Sequence, residues 1–488
     1  MGTLDKLHRQ RIQYSIISTG GYFLVYILNN KSPIPLYAQL YQQIRSKVLC
    51  GKLHPGTKMP SSRKLSQDLC ISRNTVGMAY DQLHSEGFLV CRARSGFYVE
   101  DLDITGLQAT PNQNSYEPMR QETEPETIHY DFTYGRLSPK LFPFLQWQRV
   151  TNECLRSYKE QMVNYGEFMG ERGLRREMLK YLREYRNIQC SIDQLMIAPG
   201  TQHCLMLAGQ LLKTSTSTIA IEDPGFSGAY FTFTNQGFRV QPIPLDHHGL
   251  KVKALSTSNT KAVYVTPSHQ FPTGSIMSIT RRLRLIEWAN EQDAYIIEDD
   301  YSSHLRYDVK PIQPLQALAP ERVIYISSFS KILSPAIRVA YMVLPEKLAR
   351  ESHRLTENSP SPVPFLIQKP LELFIQQGNW ESHLRKITKY FKKKHDTLLQ
   401  ALNQEFGDTL SISGKNAGLH LLLQIKWPMT TEELVSRAYK AGVKIHPTGK
   451  LWVESESSPH TSILLGFGGI ELGDIPVAVR LLRKAWLD

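Results

Sequence analysis

Lys331 follows the apolar run Ile324-Tyr325-Ile326 and the small hydroxyl residues Ser327, Ser328 and Ser330, and Arg338 comes seven residues later. A lysine just past a buried strand is desolvated, which favours its neutral amine. A neutral amine condenses with an aldehyde to give a Schiff base. Ser328, Ser330 and Arg338 offer donors to a dianionic phosphate beside it, Arg338 the strongest. An aldehyde next to a phosphate describes pyridoxal 5'-phosphate as cofactor. A single lysine after a strand is more often an ordinary exposed lysine, so the assignment needs partners elsewhere in the chain.

Two stretches provide them. Ile197-Ala198-Pro199-Gly200-Thr201-Gln202-His203 joins a short apolar segment to a helix carrying Leu205, Leu207, Leu211 and Leu212. Backbone amides at such a helix start bind phosphate, aided by the helix dipole. Gly200, Thr201 and Gln202 are therefore a second phosphate element, the bland alternative being a plain strand-to-helix turn. Ala294-Tyr295-Ile296-Ile297-Glu298-Asp299-Asp300-Tyr301 reads as a buried strand ending in carboxylates. A carboxylate there can pair with the protonated pyridine nitrogen and make the ring an electron sink. Asp299 takes this part, and Tyr301 reaches the phenolic oxygen. The acids could instead cap a helix or bind a metal, but no His or Cys spacing supports a metal.

These side chains need strands that deliver them to one edge. Apolar strand-like runs alternate with helical segments, which implies a parallel sheet with its ligand at the strands' carboxyl ends. After residue 350 the pattern changes. Trp380–Phe406 reads as a long basic helix and Ala417-Gly418-Leu419-His420-Leu421-Leu422-Leu423 as a strand. Together they suggest a smaller α/β subdomain over 350–488.

The chain has 488 residues, too many for one core, so a large domain and at least one small one are expected. The composition, 41% hydrophobic and 21% charged, is that of a soluble globular protein. No apolar run is long enough to span a bilayer, so no membrane partner is expected. Residues 21–28 are too short for a span, and no small-residue cleavage site follows them. They read as an N-terminal extension, residues 1–32, in which Phe23-Leu24-Val25-Tyr26 could begin a strand. Six cysteines without CxxC spacing read as reduced cytosolic thiols. The net charge of +12 favours a polyanionic partner, and residues 31–100 are rich in lysine and arginine.

Within that basic stretch, Pro35 opens a helix with Leu36, Leu40, Ile44 and Val48 on one stripe. Ser62 is read as the cap of a short second helix, and Ser72 as the cap of a third that begins Arg73-Asn74-Thr75. Two short helices with a brief turn fit a helix-turn-helix. Arg and Asn at the start of the second can read base edges bidentately. Phe88-Leu89-Val90 and Phe97-Tyr98-Val99 flank Arg92-Ala93-Arg94-Ser95-Gly96, a hairpin with a basic tip suited to phosphate or minor-groove contact. Arg63, Ser72, Arg73, Asn74, Thr75, Arg92 and Arg94 are the candidate contacts to double-stranded DNA. A small helical domain that binds protein is the alternative. Residues 102–129, rich in Gln, Thr, Asn, Pro and Glu, read as a flexible linker.

The order Pro-Ser-Ser-Arg, Leu-Ser-Gln-Asp-Leu, Ser-Arg-Asn-Thr-Val, Glu-Gly-Phe-Leu, Gly-Phe-Tyr-Val resembles the winged helix of GntR-family repressors over residues 33–101. Tyr165-Gly166, Gly170 and Leu174, then Gly-Thr-Gln, Glu222-Asp223-Pro224-Gly225-Phe226, Pro272-Thr273-Gly274 and Ser-x-Ser-Lys resemble fold-type I aminotransferases. The fusion resembles the MocR/GabR regulators. That resemblance implies an α/β chain: an N-terminal winged helix-turn-helix, then a fold-type I aminotransferase-like domain over 130–488 with a mixed, mainly parallel sheet. It implies Phe226 stacking on the pyridine ring. It also implies a regulator that senses an amine or amino acid, or pyridoxal phosphate itself, through Schiff-base chemistry at Lys331, with turnover as the alternative. Its partners would be operator DNA, a small amino effector, a second copy arranged head to tail, and RNA polymerase, all in the cytoplasm. Three departures stand out. Phe271 replaces the asparagine that bonds the cofactor's phenolic oxygen in enzymes, leaving His269 or Gln270 to serve. Gly228 and Gly469 stand where γ-aminobutyrate-responsive members carry carboxylate-binding arginines, which speaks against that effector.

Overall fold

The computed structural model describes residues 12–19, 22–102, 128–307, 312–357, 359–453 and 461–487. The interior of the expected linker and the first eleven residues lie outside these. Contacts divide the chain into two compact units, Met1–Thr123 and Glu124–Asp488.

In the first unit, β1 (Ile12–Thr19) and β2 (Tyr22–Asn29) form an antiparallel hairpin. The strand anticipated around Phe23 thus runs on to Asn29. The reason is its alternation: Tyr26 and Leu28 point into a core with Leu40, Ile44 and Val48 of helix Leu36–Leu49. Gln43 and Gln39 on that helix satisfy the free edge of β2. Each bonds both the amide and the carbonyl of one residue, Ile27 and Asn29, at 2.6–3.0 Å.

Helices Ser62–Asp68 and Arg73–Ser85 follow. The first is capped by Ser61 and not by Ser62: Ser61 Oγ accepts from the Lys64 amide at 3.2 Å. Ser61 follows Pro60 in extended backbone, which is the geometry a cap needs. Ser72 caps the second helix as expected, accepting from the Thr75 amide at 3.0 Å. The wing is β3 (Leu89–Arg92) against β4 (Gly96–Val99), antiparallel, with Arg94 and Gly96 both at positive φ in the tip.

The second unit opens with β5 (Tyr130–Asp131). Its main strands are β6 (Leu195–Ala198), β7 (Thr218–Asp223), β8 (Arg239–Asp246), β9 (Gly249–Leu250), β10 (Ala262–Val265), β11 (Tyr295–Asp299), β12 (Val323–Ser328) and β13 (Ala340–Val343). They form one eight-stranded sheet in the order β6-β13-β12-β11-β10-β7-β8-β9. From β8 to β12 the neighbours are parallel, while β13 is antiparallel to both β12 and β6. Both faces are covered. Ile219 and Ile221 pack with helix Thr201–Leu212 on one side, and Ala220 with helix Ile279–Glu291 on the other. Double coverage is why these strands read as unbroken apolar runs.

The smaller sheet is β14 (Leu410–Ser413), β15 (His420–Ile425), β17 (His446–Pro447) and β18 (Ser462–Gly466), in the order β14-β15-β18-β17, while β16 (Val443–Lys444) pairs with β5. The 28-residue helix Asn379–Phe406 packs beside it. The strand expected from Ala417 starts at His420, and Gly418 before it turns the chain at a φ of +79°.

Candidate functional site

Parallel strands bring successive loops to one edge. Asp299 is the last residue of β11, Ser328 the last of β12, and Phe226 and Thr201 follow β7 and β6. They meet at a cavity of about 300 Å³, in the size range of small-molecule sites. Of the cofactor-binding candidates, Thr201, Gln202, Phe226, Asp299, Tyr301, Ser328, Ser330, Lys331 and Arg338 line it. Gly200 and His269 do not.

Gly200 acts through the space it leaves. Its φ is +94°, and a Cβ there would stand 2.3 Å from Arg338 Nη2. The guanidinium lies across the helix start at Gly200 and donates to the Pro199 carbonyl at 3.4 Å. Arg338 itself sits in left-handed backbone, φ +51°, an uncommon conformation for a non-glycine residue.

His269 is buried among His420, Tyr301 and Gly418, and neither ring nitrogen has a hydrogen-bond partner among the described residues. Burial holds its pKa well below the ordinary value. Gln270 turns away, bonding Glu222, the Pro224 and Phe271 carbonyls, and Thr273. Phe271 supplies its ring to the cavity wall instead. The Tyr301 hydroxyl donates to the His269 carbonyl at 2.9 Å.

The acid pair at the end of β11 is split by its surroundings. Asp300 forms a buried ion pair with Arg186 and accepts from the Tyr325 hydroxyl at 2.9 Å. Arg186 and that hydroxyl bond hold its pKa below the ordinary value against the pull of burial. Asp299 faces the cavity. Tyr264 donates to its Oδ2 at 2.9 Å, and Oδ1 has no partner among the described residues. Burial pushes the Asp299 carboxyl up to about 7, with the Tyr264 bond and Lys331 pulling the other way. Lys331 keeps a partial opening to the cavity, yet protein on nearly all sides lowers its amine to about 8, a shift opposed by Asp299. Its Nζ stands 3.9 Å from the ring centre of Tyr134.

Tyr134, Tyr264 and Thr266 line the cavity and were not singled out from sequence. Tyr264 shares the pleat face of Ile297, the face on which Asp299 also lies. Tyr134 comes from the segment after β5, which runs beside Gly466, where a Cβ would stand 2.5 Å from the Tyr134 Cα.

In the other unit, Arg63, Ser72, Arg73, Asn74, Arg92 and Arg94 are exposed and Thr75 is half-buried. Ser72 and Thr75 are engaged in the cap, their hydroxyls 2.7 Å apart. Arg73 Nε donates to Ser62 Oγ at 3.5 Å, and Arg92 lies over the Tyr98 ring at 4.5 Å. Met78, one turn beyond Asn74, is an exposed apolar side chain on the same helix, and sequence reading passed over it.

A winged helix joined to an aminotransferase-type sheet with a lysine at its carboxyl edge defines a class of chain, and comparison with known proteins agrees. Residues 36–99 match the family of bacterial regulatory proteins, gntR family, and residues 138–450 match aminotransferase class I and II. The HTH-type transcriptional regulator YdeL of Bacillus subtilis is 36% identical, over 94% of this chain and 98% of that protein. The probable rhizopine catabolism regulatory protein MocR of Rhizobium meliloti is 29% identical, over 94% and 96%. The Pyrococcus horikoshii kynurenine aminotransferase, solved in complex with PMP, superposes with a TM-score of 0.68 at 26% identity. It covers 74% of this chain and 91% of its own. The chain belongs to the MocR-type transcriptional regulators, in which a GntR helix-turn-helix is fused to an aminotransferase class I and II domain.

Proposed function

We propose that this regulator holds pyridoxal phosphate in the cavity at Lys331 and changes its DNA complex when an amine or amino acid arrives there. The observation that carries the reading is Asp299: a buried carboxylate with one oxygen unpartnered among the described residues, in the same cavity as a lysine whose amine is shifted toward neutrality. An orphaned buried acceptor needs a donor, and a pyridinium N–H is one. Ser328, Ser330, Arg338 and the amides at Thr201 and Gln202 would hold the phosphate, Phe226 the ring face, and Lys331 the aldehyde carbon. When bound, the cofactor supplies an electrophilic carbon that primary amines attack and a ring that withdraws electrons. Lys331 supplies the neutral amine, Asp299 keeps the ring nitrogen protonated, and Phe271 with Tyr134 excludes water.

The winged helix supplies the output. Arg73 and Asn74 at the start of its second helix would read base edges, Arg63, Ser72 and Thr75 would meet phosphates, and Arg92 and Arg94 would follow the adjacent backbone. A head-to-tail dimer, contact with RNA polymerase and a cytoplasmic setting belong to the same proposal. A working aminotransferase is the second reading, favoured by the presence of Lys331, Asp299 and Tyr301 around one cavity. Phe271 in place of a polar side chain weighs against efficient turnover.

The test is a gel-shift titration on the gene's own upstream DNA at fixed salt, with wild type and Lys331→Ala, with and without pyridoxal phosphate and amines. A specific complex that responds to an amine in wild type and not in the variant supports a sensor. A complex indifferent to cofactor and amines, together with multiple-turnover release of 2-oxoacid, moves the weight to an enzyme.

A further inference from the structure

The segment Tyr134-Gly135-Arg136 passes close to Lys331. A Cβ at Gly135 would stand 3.3 Å from Lys331 Nζ. The next residue is an arginine. Standard backbone dimensions put its Cα within about 9 Å of that amine, and an extended arginine reaches roughly 7 Å. Its guanidinium can therefore lie over a small molecule whose amine is at Lys331.

Three glycines shape this approach. A Cβ at Gly466 would stand 2.5 Å from the Tyr134 Cα, one at Gly468 would stand 2.4 Å from the Arg136 carbonyl oxygen, and one at Gly469 would stand 3.0 Å from the Arg136 Cβ. The segment is pinned where it crosses them: Gly466 donates to the Phe132 carbonyl at 2.8 Å, and Ser138 to that of Gly468 at 3.2 Å. Arg136 thus has a fixed backbone, and its side chain starts from the space that a side chain at position 469 would claim. On the other wall, Gly228 offers no side chain, and a Cβ there would stand 2.4 Å from the Phe226 ring.

The guanidinium itself is exposed and paired with Asp131, whose other oxygen accepts from the Thr133 amide at 2.7 Å. The Arg136 half of the pair is open to solvent and can leave, while Asp131 keeps its bond from Thr133. A carboxylate arriving beside Lys331, out of bulk water, offers a stronger, bidentate partner.

We propose that Arg136 is the residue that receives the carboxylate of an amino-acid effector, exchanging Asp131 for it. The inference rests on the cofactor reading above and deepens it: the effector is an amino acid and not a plain amine.

The experiment titrates protein loaded with pyridoxal phosphate. The ligands are glycine, 3-aminopropanoate, 4-aminobutanoate and 5-aminopentanoate, each set against the alkylamine that lacks the carboxyl. Binding is followed by the change in the cofactor's absorbance and by calorimetry. At least one amino acid is expected to bind about 10- to 100-fold more tightly than its matching amine. Arg136→Gln should erase that ratio, Arg136→Lys should keep part of it, and Asp131→Asn, which retains an acceptor for the Thr133 amide, should increase it. Equal affinities throughout, or a ratio that survives Arg136→Gln, overturn the inference. A wild type that shows no Lys331-dependent cofactor absorbance at all strikes the underlying cofactor reading, and this inference with it, before any amino acid is added.

Discussion

The Tyr264 hydroxyl donates to Asp299 Oδ2 at 2.9 Å, while Oδ1 has no partner among the described residues. Two residues from neighbouring parallel strands thereby fix a carboxylate in the cavity wall. The bond also favours the charged form of a group that burial pushes up to about 7.

Tyr264→Phe removes the donor and leaves the cavity's shape nearly unchanged. Asp299 then moves further toward its neutral form and is freer to rotate. Pyridoxal phosphate should bind about 5- to 30-fold more weakly, as expected for losing one hydrogen bond to a charged group at about 1–2 kcal/mol. Equilibrium dialysis of the apoprotein at neutral pH reads this directly. Unchanged affinity would remove Tyr264 from the site.

The Lys331 amine, lowered to about 8, gives a pH profile with a definite sign. Only the neutral amine is a nucleophile, and the neutral fraction rises as pH increases through 8. Capture of pyridoxal phosphate by the apoprotein should accelerate from pH 7 to 9 and then level off. Asp299 raises the Lys331 pKa, so Asp299→Asn should move the midpoint to lower pH while weakening the complex. A midpoint near the ordinary lysine value, or one that moves upward in the variant, contradicts the burial argument. Stopped-flow absorbance provides the measurement.

Arg186 and Asp300 form a buried ion pair behind the site, with the Tyr325 hydroxyl as a third member. Removing one charge strands the other in protein, which typically costs about 3–5 kcal/mol. Arg186→Leu should destabilise the second unit by that amount. Arg186→Leu combined with Asp300→Leu should recover most of it, since an apolar pair of similar volume is often neutral. Chemical denaturation followed by near-ultraviolet circular dichroism compares the three proteins. A double variant no better than the single one would show that the pair contributes more than its own charges.

Much of this was legible from residue order. The winged helix, the strand-to-helix turn at Gly200 and the acid pair at Asp299 each carry a local signal, such as a cap, a glycine or a carboxylate ending an apolar run. Tyr264 and Thr266 carried none. Every residue of β10, Ala262–Val265, is buried, so alternation does not tell which side opens on a cavity. Tyr134 was hidden for a different reason: it reaches Lys331 from nearly two hundred residues away in sequence, through a crossing with Gly466 that no local pattern encodes. His269 was the reverse case. Its neighbourhood in sequence suggested the cavity, but Gly418 leaves room for its ring, and it packs there against His420. The cap at Ser61 in place of Ser62 is a one-residue matter, decided by which serine sits in extended backbone with its hydroxyl at the Lys64 amide.

In the first unit, the arginines at the helix start and in the wing should differ in kind. Arg73 opens the second helix of the pair, exposed and only loosely held by Ser62 at 3.5 Å. Arg92 lies over the Tyr98 ring in the wing, and on the proposed reading it would meet phosphate from there. Arg73→Ala should cost about 1–3 kcal/mol against the cognate site and much less against unrelated DNA, because a lost base contact removes discrimination. Arg92→Ala should weaken both alike and reduce the slope of log affinity against log salt by about one. Fluorescence anisotropy on both DNAs at several salt concentrations separates the two roles. Uniform weakening by Arg73→Ala would assign it to the backbone, and base reading would then fall to Asn74 and the exposed Met78 one turn along.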